Sequence, residues 1–208
     1  ADMRAALSGL PALSASLLAE GVTGYDIAAV ISGQYRAALV RAAALATAER
    51  TPAPAKWCLL ILGSGGRDES LLAPDQDHAI IFEDLPSSAS TADRQAALDW
   101  FLDCGQAIAD RLDEAGIPYC TGGVMATSPV WCKPLSDWQA VIDDWVARGR
   151  AEDVLSADIF FDYQAVCGET ALADQLQAHI RQTVTGQHDF LKSLARTVQN
   201  HASGTTLF

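Results

Sequence analysis

The sequence predicts an α/β (α+β) protein in which a small mixed β-sheet lies between N-terminal helices and a C-terminal helical lobe. Two short, continuous apolar runs of strand length each stop at glycine or turn residues, as buried strands do. The segments before and after them carry apolar residues at helical spacing. A chain of 208 residues is long enough to bury a core without disulfides or a structural metal.

The first region, residues 1–50, is predicted to be helical because it is rich in Ala and Leu. Pro11 and a glycine-containing stretch before Tyr25 are expected to divide it into two helices. The second helix is expected over 25–50, where apolar residues recur at spacings of three and four. A proline-rich linker at 51–55 then marks the entry to the next region.

The central region, residues 51–135, is predicted to hold most of the sheet. Strands are expected at 57–62 and 78–82, both continuous apolar runs, and a third at 119–127. A helix is expected over 93–114, because it has an apolar inner stripe and is followed by a Gly-Ile-Pro stop.

The last region, residues 136–208, is predicted to be mostly helical. Ser136 is expected to act as the N-cap of its first helix. Residues 158–167 are expected to be extended and to return to the core sheet. The helices of this region are expected over 136–148, 170–184 and 187–201.

Charge and cysteine content limit the classes of partner. The chain has 14 Lys and Arg against 26 Asp and Glu, a net charge of −12, which argues against binding to nucleic acid or to an anionic membrane. Its five cysteines form no CxxC pair, so a disulfide framework or a zinc site is not expected. We expect a cytoplasmic protein, since free thiols suit a reducing compartment and no apolar run reaches the ~18 residues of a membrane span.

A glycine-rich turn follows the first predicted strand, with the sequence Gly63-Ser64-Gly65-Gly66-Arg67. Glycine backbone can take positive φ and approach a ligand closely, and successive N–H groups in such a turn bind anions. The Ser64 hydroxyl and the Arg67 guanidinium suit phosphate oxygens. Neither a Walker A loop nor a G-x-G-x-x-G fingerprint is present, so this motif alone is also compatible with an ordinary strand-to-helix turn.

An Asp-x-Asp motif precedes the second predicted strand. Because side chains alternate along extended backbone, Asp75 and Asp77 are expected to share one face and to converge on a hard cation. His78, on the opposite face, is expected to pack in the core. A solvated turn is the alternative for this motif alone. Together, however, a phosphate cradle and a metal-binding pair on adjacent strands are what nucleotidyl transfer requires.

The combination of Gly63-Ser64-x-x-Arg67 with Asp75-x-Asp77 resembles the nucleotidyltransferase fold of the DNA polymerase β superfamily. The fuller string from Leu62 to Ala79 resembles one branch, related to the PII-protein uridylyltransferase and the glutamine-synthetase adenylyltransferase. Members of this branch are often found behind CBS or cyclic-nucleotide-binding domains in bacteria. The helix before the first strand and the stretches 119–126 and 160–168 are similar to the same branch, so the resemblance covers roughly residues 25–208.

This resemblance implies a metal-dependent enzyme that moves a nucleoside monophosphate from an NTP, ATP or UTP, to a hydroxyl of a protein or small-molecule acceptor. It implies that Asp75 and Asp77 are catalytic and hold Mg²⁺ or Mn²⁺. It implies that the mostly helical residues 136–208 bind substrate, and that CBS or cyclic-nucleotide-binding domains outside this chain are regulatory partners. The residues implied to contact the nucleotide are Gly63, Ser64, Gly65 and Arg67.

The superfamily also uses a third acidic residue from a later strand. Asp162 is the candidate for this catalytic and metal-binding role, because Phe160, Asp162 and Gln164 are expected to share one face of the extended segment. A charge on a half-buried strand needs a partner such as a metal. Asp158 and Asp153 are weaker candidates for the same role.

The chain departs from the family pattern at three positions. Ser70 stands where the family commonly has Gln, and Cys132 and Gln164 stand where it has Arg. Lys133 is the candidate to compensate for Cys132. The two missing basic residues support a second hypothesis, a catalytically weakened nucleotide-binding regulatory module with the same fold. A helical interaction protein with an incidental acidic turn is the third.

Overall fold

The computed structural model describes residues 3–202, with side chains described as far as residue 197. None of the helices in this range combines the length and apolar character that crossing a membrane needs. The strands are β1 (Trp57–Ile61), β2 (His78–Phe82), β3 (Cys132–Pro134) and β4 (Gln164–Gly168). The helices are α1 (Met3–Ser8), α2 (Leu10–Ala19), α3 (Gly24–Ala48), α4 (Gly63–Gly66), α5 (Thr91–Ala115), α6 (Leu135–Arg148), α7 (Ala151–Phe160), α8 (Thr170–Val184) and α9 (His188–Ala202).

The four strands form one mixed sheet in the order β3-β2-β1-β4. Strand β1 is antiparallel to both β2 and β4, whereas β2 and β3 are parallel. In the β1–β2 register, Ile61 lies opposite His78. The end of β1 therefore lies beside the beginning of β2, and the predicted α/β class with a small mixed sheet is confirmed.

Helices cover both faces of the sheet. Leu59 and Ile61 of β1 point to the face covered by α3 and α5. Leu60 and its alternating neighbours point to the opposite face, covered by α6, α7 and α8. On that second face, Trp138 and Phe160 stack with ring centroids 4.3 Å apart. Both faces of β1 are thus buried, which explains its continuous apolar sequence.

The N-terminal region forms three helices, not the predicted two. Residue Gly9 separates α1 from α2, and Pro11 lies in the first turn of α2, where its missing N–H has no intrahelical role. Helix α3 begins at Gly24, where the Thr23 side chain accepts a hydrogen bond from the Asp26 amide. Pro11 was expected to break the helical region, but it lies at the beginning of α2.

The predicted third strand at 119–127 is wrong. These residues form consecutive turns, in which the Gly123 amide donates to the Cys120 carbonyl at 3.0 Å and Gly123 has a φ of +71°. Positive φ interrupts a strand, and glycine permits it. The third strand of the central region is β3, which begins at Cys132 and pairs in parallel with β2.

The predicted extended segment at 158–167 is wrong over its first half. Helix α7 continues to Phe160, a turn follows, and β4 begins only at Gln164. A capping box between Arg150 and Asp153 opens this helix, and its buried side chains recur every three residues up to Phe160. The expectation that Phe160 and Asp162 share a strand face with Gln164 is therefore wrong.

Ser136 is not the N-cap of α6, as was predicted. The helix begins one residue earlier, at Leu135. The amide of Ser136 donates to the Asp84 carboxylate at 3.1 Å, and its hydroxyl donates to the same carboxylate at 2.5 Å. An acidic side chain from the loop after β2 thus satisfies the start of α6, where negative charge is favourable.

Helix α5 packs closely on the turns that replace the predicted third strand. A Cβ at Gly105 would overlap the carbonyl group of Ala126. We therefore expect Gly105→Ala to lower the free energy of unfolding by about 1–3 kcal/mol, measured by urea denaturation.

The matched control is Gly33→Ala in α3, where the new Cβ would lie 3.9 Å from the Arg36 Nη2 atom, an ordinary van der Waals contact. This change should raise the free energy of unfolding by up to about 1 kcal/mol, because glycine is unfavourable inside a helix. Equal effects of the two substitutions would contradict the close packing at Gly105.

Candidate functional site

The glycine turn after β1 and the acidic segment before β2 lie side by side. The antiparallel register brings them together, and the Leu62 amide donates to the Asp77 carbonyl at 3.0 Å. Residue Gly63 has a φ of +53°, and a Cβ there would lie 2.9 Å from the Asp77 Oδ2 atom. Glycine is therefore required at this position both by backbone conformation and by the carboxylate that it contacts.

The segment Asp75-Gln76-Asp77 alternates as the sequence predicts. The Gln76 side chain is buried, and its Nε2 donates to the carbonyls of Ala109 at 3.0 Å and Ile117 at 2.9 Å. These carbonyls belong to α5 and to the chain just after it. With Gln76 fixed inward, Asp75 is exposed and Asp77 is half-buried on the other side.

His78 packs in the core, which confirms the prediction for this residue. Its side chain is fully buried, with Nε2 3.3 Å from the Gln76 Oε1 atom and Nδ1 accepting from the Ala126 amide at 3.3 Å. Burial lowers the pKa of His78 to about 4. A neutral imidazole that bridges two chain segments holds the start of β2 in place.

The thiol of Cys120 lies close to the carboxylates of Asp75 and Asp77. The Sγ atom and one oxygen each from Asp75 and Asp77 all lie within 4.8 Å of one another. Sequence reasoning missed this residue, because the turns that bring it to the acidic pair carry no spacing that signals a ligand. Burial raises the pKa of Cys120 to about 11, so the thiol is protonated at neutral pH.

The pKa of Asp77 is raised by its surroundings. Burial raises its pKa, and the nearby charge of Asp75 acts in the same direction. A hydrogen bond from Cys120 and the positive charge of Arg67 oppose this rise. A cation between the exposed Asp75 and the half-buried Asp77 would relieve the repulsion between them, and carboxylate oxygens are the ligands that Mg²⁺ prefers.

Arg67 lies between the acidic pair and the turn after α7. Its Nε is 2.9 Å from the Glu69 Oε2 atom, and its Nη1 is 3.7 Å from the Asp162 Oδ2 atom. Asp162 itself lies in the turn between α7 and β4, and its backbone carbonyl is directly against Gly66. Among the residues with described side chains, Asp162 is not part of the close group at Asp75 and Asp77.

The two weaker candidates for the third acid lie on α7. Asp153 is buried and accepts hydrogen bonds from Arg150, at 2.8 Å from Nε, as part of the cap of that helix. The Arg150 hydrogen bond lowers the pKa of Asp153. Asp153 therefore already has a structural role. Asp158 lies near the other end of α7.

A cleft of about 610 Å³ separates the glycine turn from α8. Gly66, Arg67 and Glu69 form one wall, and Asp174 with Gln177 forms the other. Of the described residues that line it, Glu69, Asp162 and Asp174 are acidic, whereas Arg67 is the basic one. The cleft lies between the sheet and the C-terminal helices, and its side chains give it a negative potential.

The departures from the family pattern have distinct environments. Ser70 is buried next to α3, and Cys132 is buried in the core between the sheet and α5. The Lys133 amine donates to the Pro129 carbonyl and lies 5.7 Å from the centre of the Trp138 ring, and Lys133 is not among the described residues that line the cleft. The Gln164 amide, by contrast, donates to the Gly66 carbonyl at 2.6 Å, so it supports the glycine turn.

Comparison with known proteins gives one family. The model of the family described as "Putative nucleotidyltransferase DUF294" matches residues 8–152. No curated protein matches the chain. The matched segment contains the glycine turn, both carboxylates of the Asp-x-Asp motif and Cys120, whereas Asp162 and the α8 wall of the cleft lie outside it.

Gln76 anchors the acidic segment to the fold, so its loss should be costly. We expect Gln76→Leu to lower the free energy of unfolding by about 2–4 kcal/mol, because two buried carbonyls lose their donor. Gln106→Leu is the matched control on α5, since the Gln106 amide donates to the exposed Asp110 carboxylate at 2.6 Å and to no buried carbonyl among the described residues. The control should stay within about 0.5 kcal/mol of the wild type in urea denaturation. Similar losses in both variants would contradict the anchoring role.

Proposed function

The chain belongs to the family described as Putative nucleotidyltransferase DUF294, and we propose that it moves a nucleoside monophosphate from an NTP to a hydroxyl of a protein or small-molecule acceptor. The observation that carries this proposal is the contact between the turn at Gly63 and the carboxylate of Asp77. The contact supports the proposal because it would bring a phosphate-binding backbone and a cation-binding side chain together. Nucleotidyl transfer needs both around the same triphosphate.

We propose that Asp75 and Asp77 hold Mg²⁺ or Mn²⁺. Sites of this kind usually offer one or two carboxylates and leave the remaining positions to water and substrate phosphates. The protonated thiol of Cys120 is a poor ligand for these hard cations, so its part is to donate to Asp77. When bound, the cation would supply neutralisation of phosphate charge and activation of the attacking oxygen.

The protein's own residues would bind and orient the triphosphate. Ser64 and Gly65 lie in the first turn of α4, where helix N–H groups find no carbonyl partner within the helix. Their amides and the Ser64 hydroxyl would donate to phosphate oxygens, and Arg67 would add a permanent charge with forked geometry. Asp162 is proposed as the third acidic residue because it lines the cleft beside Arg67, whose positive charge also acts on Asp77. Asp75 and Asp77 are not among the described residues that line this cleft.

The cleft supports an NTP as the substrate, ATP or UTP. Its volume of about 610 Å³ falls within the range typical of small-molecule sites. Phe161 and Tyr163 lie among its lining residues and offer apolar contact for a base. The net charge of −12 favours a protein or small-molecule acceptor over a nucleic acid. The five free cysteines support a cytoplasmic location.

A second function, a nucleotide-binding regulatory module of the same fold with weakened catalysis, has one observation in its favour. The cation of Arg67 is shared between Glu69 and Asp162, and the neutral Gln164 lies beside the same turn. Less positive charge is then free for the triphosphate. CBS or cyclic-nucleotide-binding domains elsewhere in the protein would suit this function and the first one equally.

Replacing either member of the acidic pair tests the proposal. We expect Asp75→Asn and Asp77→Asn each to lower pyrophosphate release from NTP and Mg²⁺ on the order of 100-fold, because each removes a ligand charge where phosphate charge develops. Asp103→Asn, an exposed site on α5, should match the wild type. If both site variants bind Mn²⁺ and ATP as tightly as the wild type, the assignment of the pair is wrong.

Tight NTP binding by the wild type without pyrophosphate release, across a screen of acceptors, would instead favour the regulatory module.

The contact between Gly63 and Asp77 has its own test. Gly63 and Gly149 have nearly the same φ, +53° and +56°, but a Cβ at Gly149 would meet no atom within 4 Å. We expect Gly63→Ala and Gly149→Ala each to lose about 1–2 kcal/mol of stability from backbone strain. Only Gly63→Ala should also weaken Mn²⁺ binding, by about tenfold, since its Cβ displaces the Asp77 carboxylate. Calorimetric titration with Mn²⁺ measures this, and equal affinity in the two variants would contradict a cation site at Asp77.

A further inference from the structure

Asp68 has a strained backbone next to the candidate site. Its φ is +60°, and among the described residues it is the one non-glycine residue with positive φ. For an L-amino acid with a side chain this conformation is unfavourable, and it persists only where surrounding contacts hold it. Asp68 directly follows Arg67 and lies two residues after the glycine turn, so its strain sets the path of the chain that leaves that turn.

Two contacts hold the Asp68 carboxylate. The Arg36 guanidinium of α3 forms an ion pair with it, and the Gln164 Nε2 atom of β4 donates to it at 3.1 Å. The same Gln164 amide donates to the Gly66 carbonyl at 2.6 Å. The hydrogen bond from Arg36 is the main reason that the pKa of Asp68 is lowered. One carboxylate thus connects α3, the glycine turn and β4.

Helix α3 contacts the chain after Asp68 as well. The Ser70 amide donates to the Ser32 hydroxyl at 3.0 Å, and the Tyr35 hydroxyl donates to the Leu71 carbonyl at 3.2 Å. Ser32, Tyr35 and Arg36 are spaced by three and four residues, so they lie on one face of α3. This face follows the chain from residue 68 to residue 71 and fixes it at three points.

We propose that Asp68, held by Arg36 and Gln164, is a positioning residue that fixes the glycine turn and Arg67 for binding of the triphosphate. This inference rests on the proposed function. An ion pair as exposed as this one, with side chains 27% and 33% exposed, adds little to global stability. Its effect is local, because it holds a backbone conformation that the chain would otherwise leave. Without it, Arg67 and the amides of Ser64 and Gly65 would lose their fixed relation to Asp77.

The test uses Asp68→Gly, which accepts positive φ but loses both contacts, and Arg36→Gln, which removes the ion pair. The matched control is Glu49→Gln, because Glu49, the C-cap of α3, pairs with Arg111 on α5, more than three helical turns from Arg36. Two quantities are measured: hydrogen exchange of the amides of residues 64–70 in the ligand-free protein, and the dissociation constant of a fluorescent ATP analogue with Mn²⁺.

We expect the exchange of these amides to be about tenfold faster in both site variants and the nucleotide to bind about tenfold more weakly, whereas the control stays within about twofold of the wild type. Asp68→Asn should recover part of both losses, because Asn tolerates positive φ and keeps an acceptor oxygen. Unchanged exchange would overturn the proposal. Faster exchange with unchanged nucleotide affinity would also overturn it, since Asp68 would then have a structural role only.

Nucleotide binding by the wild type and by the variants distinguishes a wrong role for Asp68 from a wrong proposed function. A wild-type protein that binds no nucleotide would count against both, because a positioning role for a triphosphate requires that one binds. A wild type that binds nucleotide together with variants that bind it equally well would count against Asp68 alone.

Discussion

The antiparallel pairing of β1 with β2 is the constraint on which the candidate site depends. With Ile61 opposite His78, the chain that leaves β1 and the chain that enters β2 occupy the same edge of the sheet. Their side chains and backbones must then share limited space. The Asp77 carboxylate occupies the space that a Cβ at Gly63 would need, so the carboxylate can take this position only because residue 63 is glycine. A turn with any other residue at this position could not lie as close to a charged group.

The helices on one face of the sheet hold the two halves of this site. Helix α5, with the chain just after it, accepts both hydrogen bonds of the Gln76 amide and so fixes the inward residue of the acidic segment. Helix α3 holds the other half through Asp68 and Ser70, which follow the glycine turn. Since α3 and α5 pack in the same apolar cluster, a change in their relative position would alter the distance between turn and carboxylates.

Local patterns were sufficient to predict some of this arrangement. Continuous apolar runs identified β1 and β2, and alternation along the backbone predicted that Asp75 and Asp77 share one face, with the Gln76 side chain between them buried on the other. Other parts of the fold and of the site depend on contacts between residues far apart in sequence, which local patterns do not reveal. Phe160 looked extended from its apolar neighbours, but it ends α7 and stacks on Trp138 of α6, a tertiary contact that the sequence pattern does not show. Cys120 and Asp68 were missed for the same reason, because neither a turn path nor an ion pair across 32 residues leaves a repeat in the sequence.

The charge of the cleft limits how the proposed substrate can bind. A triphosphate that enters a space lined by Glu69, Asp162 and Asp174 meets charge of its own sign, with Arg67 as the basic residue among the described lining residues. Arg67 is also within ion-pair distance of two of those acids. Three acidic side chains against one shared guanidinium leave the lining with a net negative charge, which does not favour a free NTP. Under the proposed function, selectivity for a nucleotide whose charge is already screened by a divalent cation follows from the acidic walls themselves.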